Sequence, residues 1–320
     1  MKFTAIVAAS MVAALPAFAQ DRADWPSSMG ISTGSQGGSY FVWGSGLASM
    51  MGETLDMPTS VEVTGGPVQN VALVDAGELM MGFTTLGPAQ EAMEGESELM
   101  PGVPAESIRA LFPMYQTPLQ AAVLTSSGIG SIDDLVGKRV NMGPATGTSA
   151  TYWQRYFEAE GMDVNASFAG ASDAAGQLSD GLIDAFVYAA GLPAGAFSQL
   201  AVEQDVKFLG LSEENIAAFV EAVPTMQRFT IPADTYEDQP EDVPTVAMWN
   251  FAIAHKDMPD SLAYEITKLV MENNDRMLQV HASAVETLPE NWDTNEYVPF
   301  HPGAVQYFEE KGIEIPENLR

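Results

Sequence analysis

Two stretches of the chain carry the same punctuation. Gly66 to Gly77 and Gly170 to Gly181 each span eleven positions, and Val74-Asp75-Ala76-Gly77 matches Leu178-Ser179-Asp180-Gly181 in character. Each follows a Gly-containing loop, holds a helical pattern and leads into a buried run: Met80 to Thr85 in one, Ile183 to Tyr188 in the other. Strand, loop, helix, strand is the rhythm of an α/β domain with parallel strands. Chance likeness between two such units is one explanation. The better one is two similar lobes whose loops face each other across a cleft, a common place for a small ligand.

The loops themselves fit that reading. Thr33-Gly34-Ser35-Gln36-Gly37-Gly38-Ser39-Tyr40 follows an apolar lead-in and opens a run with Tyr40, Trp43, Leu47 and Met50 at helical spacing, expected to end near Met51-Gly52. Arg139 to Met142 reads as a strand, and Gly143-Pro144-Ala145-Thr146-Gly147-Thr148-Ser149 follows it. The next helix carries Trp153, Tyr156 and Phe157 on one side. Glycines let the backbone approach a guest, and the first amides of a helix have no partner inside it while the dipole there favours an anion. Either loop alone reads as a plain connection. The echo between them favours an anion cradle.

Ligands of open α/β sheets collect beyond the carboxyl ends of the strands. Thr84 and Thr85, ending one buried strand, and Tyr188, ending its counterpart, are therefore expected to face the cleft. Tyr115 lies where the chain leaves the first lobe, and is expected either to close over the ligand or to pack in the core. Ile108 to Tyr115 is an apolar run broken by Pro113 and Pro118, resuming as Leu119 to Leu124; Thr245 to Ala254 is another. Two crossings between lobes follow: 20–117 with 246–320 forming lobe 1, and 118–245 forming lobe 2. Arg155 is expected in a surface ion pair, with support of a bound carboxylate as the alternative.

Composition narrows the function. Thirteen Lys and Arg against 43 Asp and Glu leave a net charge of −30, which repels nucleic acid and anionic lipid. An anionic guest must then be held by local dipoles against the global field. There is no cysteine, so no disulfide, thiolate metal site or lipid-bearing residue. His255, His281 and His301 show no metal-ligand spacing, and there is no nucleophile elbow, P-loop or paired acid–base carboxylate. No cofactor, no metal, no catalysis and no nucleic-acid partner are expected.

At the start, Lys2, the apolar run Phe3 to Leu15 and Ala17-Phe18-Ala19 read as an export signal cleaved after Ala19, leaving a mature chain with no membrane anchor. The roughly 300 residues beyond it exceed a usual single core.

Taken in order, the loop 33–40, Gly65-Gly66-Pro67-Val68-Gln69-Asn70, Gly137-Lys138-Arg139-Val140 with Gly143-Pro144, and His301-Pro302-Gly303-Ala304 resemble the TAXI-type solute-binding proteins of tripartite ATP-independent periplasmic (TRAP) transporters. The resemblance runs over nearly the whole mature chain. It implies a two-lobed, type II periplasmic binding fold in the periplasm, closing on a small carboxylate such as glutamate or a 2-oxo or dicarboxylic acid and delivering it to permease subunits. It carries over Ser35, Gly37, Gly38, Ser39 and Tyr40; Gly65, Gly66 and Asn70; and Thr146, Gly147, Thr148 and Ser149 as ligand-binding positions. A receptor of the same fold for an ABC transporter or sensor kinase, and an exported enzyme, remain open alternatives.

Overall fold

The computed structural model describes residues 22–320; the expected export signal and its cleavage site lie outside the described residues. The first half builds β1 (Met29–Ser32), α1 (Ser39–Leu55), β2 (Thr59–Glu62), α2 (Pro67–Asp75), β3 (Met81–Thr85) and α3 (Leu86–Met93). A long strand, β4 (Ile108–Leu124), leads into β5 (Arg139–Asn141), α4 (Thr148–Ala159), β6 (Asn165–Ser167), α5 (Ala171–Ser179) and β7 (Ala185–Ala189). Then come α6 (Gly195–Glu203), β8 (Val206–Phe208), α7 (Glu213–Ala222), β9 (Gln227–Ile231) and the second long strand, β10 (Val243–His255). The chain closes with α8 (Asp260–Met271), α9 (Asn274–Val280) and α10 (Pro302–Glu310).

The strand order β2-β1-β3-β10-β4-β7-β5-β6 is its own mirror image about the β10–β4 pair. β2, β1 and β3 are parallel and meet β10 antiparallel; β6, β5 and β7 are parallel and meet β4 antiparallel. This is the doubled unit read from the glycine spacing, and α2 and α5, nine residues each, are its matching helices.

Local chemistry explains the elements. In α1 the apolar positions Tyr40, Trp43, Leu47 and Met50 are buried at three- and four-residue spacing. The helix runs one turn past the expected stop because Leu55 is also buried, and Asp56 ends it in the left-handed region. Ser212 starts α7 with a reciprocal capping box to Asn215.

The expectation of a strand broken by Pro113 and Pro118 is corrected: β4 is continuous through both. Beyond β10, its other edge pairs with β7 and β8 only from Leu119 onward. Upstream, among the described residues, there is only an isolated bridge between Ala110 and Phe300, so this half resembles an edge, where prolines are tolerated. Register shifts on β10 between Trp249 and Phe251, and between Ala252 and Ile253, take up the irregularity.

One core gathers Trp43, Phe83 and Phe112 with the helices on both sides of the first sheet, drawing on residues up to Tyr115 and from Ala252 on. The others lie between Leu119 and Met248: one around Trp153, Tyr156 and Phe219, and one around Phe186, Phe197 and Phe208. Backbone connects the first core to these two through β4 and β10 alone among the described residues, where Gln116 and Trp249 pair.

Candidate functional site

Four helices begin at one cavity between the two halves. Gly38 precedes α1, Gly66 precedes α2, Thr85 precedes α3 and Gly147 precedes α4, and all four line the cavity. None of these helices has an acidic residue in its first turn or a side-chain cap on its first amides. The positive ends of four helix dipoles thus meet with no local charge to satisfy them. The cavity measures about 30 Å³, and its lining contains no Lys, Arg, Asp, Glu or His.

The halves are closed over it. Ala171 N–H at the start of α5 donates to Ser35 Oγ at 3.1 Å, and Ser172 N–H donates to the Gln36 carbonyl at 3.3 Å. Ala196 N–H in α6 donates to the Gly37 carbonyl at 3.0 Å, and Val68 N–H in α2 donates to the Thr146 carbonyl at 3.2 Å. Thr85 and Thr148 share a hydroxyl hydrogen bond of 2.6 Å. The loops come this close because they lack side chains: a Cβ on Gly38 would sit 2.4 Å from the Tyr188 hydroxyl oxygen, and one on Gly65 only 1.9 Å from Thr146 Oγ1.

Hydroxyls furnish the rest of the wall. Ser39 Oγ accepts from Gly191 N–H at 2.9 Å and from Tyr115 O–H at 3.1 Å. With both lone pairs engaged, its proton is left for a guest. Ser149 donates to the Val187 carbonyl at 3.0 Å, leaving its lone pairs toward a guest. Burial pushes the Tyr40 phenol well above its ordinary range, and charge on Tyr115 and Tyr188 would add to the shift. Burial likewise raises Tyr188, against an opposing hydrogen bond with Ser35. Both phenols keep their protons at neutral pH.

Of the expected site residues, Ser35, Gly38, Ser39, Tyr40, Gly65, Gly66, Thr85, Gly147, Thr148, Ser149 and Tyr188 come together on the cavity wall. Five stand behind it. Gly37 packs against Ser172 and α6. Asn70 is fully buried and ties the Thr33 and Phe83 carbonyls and Thr64 into one knot. Thr84 is turned away by strand alternation, which lets only Thr85 face the cavity. Tyr115 sits in the core under Ser39, and Thr146 closes on Gly65 and Val68. Arg155 does not line the cavity; its guanidinium makes a bidentate pair with Glu91 at 2.6 and 2.9 Å.

The cavity also takes in Gly34, Pro67, Thr117, Pro144, Ala189, Ala190 and Asn250, which sequence reasoning did not single out. Asn250 had a signal: it is the lone side-chain amide in the apolar run from Val246 to Ala254. Among the described residues no group of three His, Cys, Asp or Glu side chains could hold a metal ion, and no helix is long and apolar enough to cross a membrane. His301 caps α10, its Nδ1 accepting from Gly303 N–H.

A family model described as the NMT1-like family matches residues 31–312. Among solved structures, MatC from Rhodopseudomonas palustris with bound malate is similar at a TM-score of 0.59 and 14% identity, covering 90% of this chain and 98% of its own. A structure described as a periplasmic transporter gives 0.57 at 15% identity, covering 91% and 99%. The architecture is thus the two-lobed α/β fold of periplasmic binding proteins: the doubled unit led to two lobes, and the resemblance implied this fold.

Proposed function

The chain belongs to the NMT1-like family, and we propose that it is a periplasmic solute receptor that closes on a small organic acid and delivers it to a membrane permease. The observation that carries this reading is the convergence of four helix starts, none with a side-chain cap or a first-turn acid, on a closed cavity with no charged side chain. Such a place holds an anion with dipoles, amides and hydroxyls, each charge-assisted hydrogen bond contributing about 1.5–3 kcal/mol. It suits a protein of net charge −30, which has only 13 Lys and Arg to distribute.

At a finer level the chain is a TAXI-type receptor of a TRAP transporter, exported by its N-terminal signal. Its guest is an amino acid such as glutamate, or a 2-oxo or dicarboxylic acid. The malate named with MatC supports a small acid as the ligand class in this architecture. The lobe division at 117/118 and 245/246 belongs to the same proposal, placing the hinge in β4 and β10.

Calorimetric titration of the purified protein with short amino, hydroxy, oxo and dicarboxylic acids tests the reading. Binding of at least one, weakened about ten- to hundredfold by Ser39→Ala, is the expected result. A folded protein that binds none of them refutes it.

A further inference from the structure

Asn250 controls the hydrogen-bond polarity of one side of the cavity. Its Nδ2 lies 2.5 Å from the Tyr115 carbonyl oxygen and 2.5 Å from Thr117 Oγ1. A carbonyl oxygen can only accept, so the amide nitrogen must be the atom facing it. The amide is thereby locked, and Oδ1 points at the Tyr40 hydroxyl, 2.5 Å away. Oδ1 can only accept in turn, so Tyr40 must donate its single proton to Asn250. What remains on the Tyr40 oxygen is lone pairs. Asn250 and Thr117 are fully or almost fully buried, and both line the cavity with Tyr40.

The opposite polarity prevails at Ser39, whose oxygen is filled by Gly191 and Tyr115 and whose proton is free. Ser149 adds a second accepting oxygen, because its own proton goes to Val187. The wall therefore carries both donating and accepting hydroxyls. A guest that carries only acceptors, such as an oxo acid, leaves the Tyr40 and Ser149 oxygens facing lone pairs.

We infer that Asn250, acting through Tyr40 as a positioning residue, makes the site select small acids that also carry an O–H or N–H donor over the same acids with a keto oxygen in its place. This rests on the reading of the cavity as an acid-binding site and narrows it. The buried phenol's raised pKa agrees, since the proton given to Asn250 stays in place across the physiological range.

The experiment compares affinities for the 2-amino, 2-hydroxy and 2-oxo members of the three-, four- and five-carbon acid series by calorimetry. In the wild-type protein a donor-bearing member binds about tenfold or more tightly than its oxo partner, the cost of an unpaired buried acceptor. In Tyr40→Phe, which keeps the ring, that ratio falls severalfold while the oxo acid still binds, the remainder belonging to Ser149. Asn250→Leu frees the Tyr40 proton, so the ratio falls or inverts; if this variant does not fold, Tyr40→Phe alone carries the test. Equal wild-type affinities, or a preference for the oxo acid, overturn the inference and leave the acid-receptor reading standing. A preference undiminished in Tyr40→Phe overturns the assignment to Tyr40. If no acid of any series binds, both readings fall together.

Discussion

His281 joins the two halves behind the cavity. Its Nδ1 accepts from Ser283 N–H at 3.2 Å, which places the ring proton on Nε2, and its ring stacks on Tyr115. Burial lowers its pKa, and the hydrogen bond to the Pro193 backbone only partly offsets this. The folded state therefore takes up a proton less readily than the unfolded chain, whose histidines titrate near about 6.5. Stability is full above that value, falls as pH drops through it, and stops falling below the lowered folded pKa. His281→Asn should flatten the decline of the melting temperature between about pH 7 and pH 5. An unchanged slope would assign the acid sensitivity elsewhere, with buried His301, lowered mainly by burial, the next to test. At this scale the sequence was partly readable. Ser35, Ser39, Thr148 and Ser149 stand in loops whose composition announces them. Asn250 does not, because its importance depends on which carbonyl its amide meets.

Helix starts and strand ends position everything else. Gly65 and Gly66 let α2 approach the 143–149 loop, and Gly66 at φ +110 occupies a region that other residues rarely adopt. A methyl on Gly65 would collide with Thr146 only when the halves are closed. Gly65→Ala should lower ligand affinity about tenfold through this overpacking, with little change in the stability of the ligand-free protein. Calorimetry and thermal melting on the same sample check both parts; equal losses in the two would locate the effect in folding instead. The elements of the doubled unit were legible because 3.6-residue and two-residue periodicities are local properties. β9 and α6 were not marked out beforehand. β9 alternates weakly and gains its definition by pairing with β10, while α6 lies against Phe186 and Phe208 through Phe197. The two prolines misled for the same reason: whether a missing N–H costs a ladder bond depends on which edge of β4 has a neighbour.

Across the whole molecule, closure is recorded in pairs that span the cores. Glu91 on α3 holds Arg155 and the Tyr152 hydroxyl on α4, the latter at 3.0 Å. The Glu91 side chain is only 16% exposed, so this pair is screened less than the surface pairs. On β4, in the proposed hinge, Gln116 donates to Glu286 and accepts from Gln227. Under the proposed hinge in β4 and β10, opening breaks the first set. Glu91→Gln should quicken ligand release by up to about fivefold, the upper range of a partly exposed ion pair, with less salt dependence than the wild type. Stopped-flow release at two ionic strengths measures it; identical rates in both proteins would remove the pair from the closing balance.

The sequence by itself determined the two matched α/β units and the Gly/Ser/Thr loops at their helix starts. Those follow from periodicity, composition and local backbone chemistry. Only the tertiary structure decided which hydroxyl gives its proton and which keeps its lone pairs, that Arg155 reaches Glu91, and that Asn250 belongs to the site. Each depends on distances between atoms far apart along the chain, and a hydrogen bond's direction is settled only by the partner that stands opposite it.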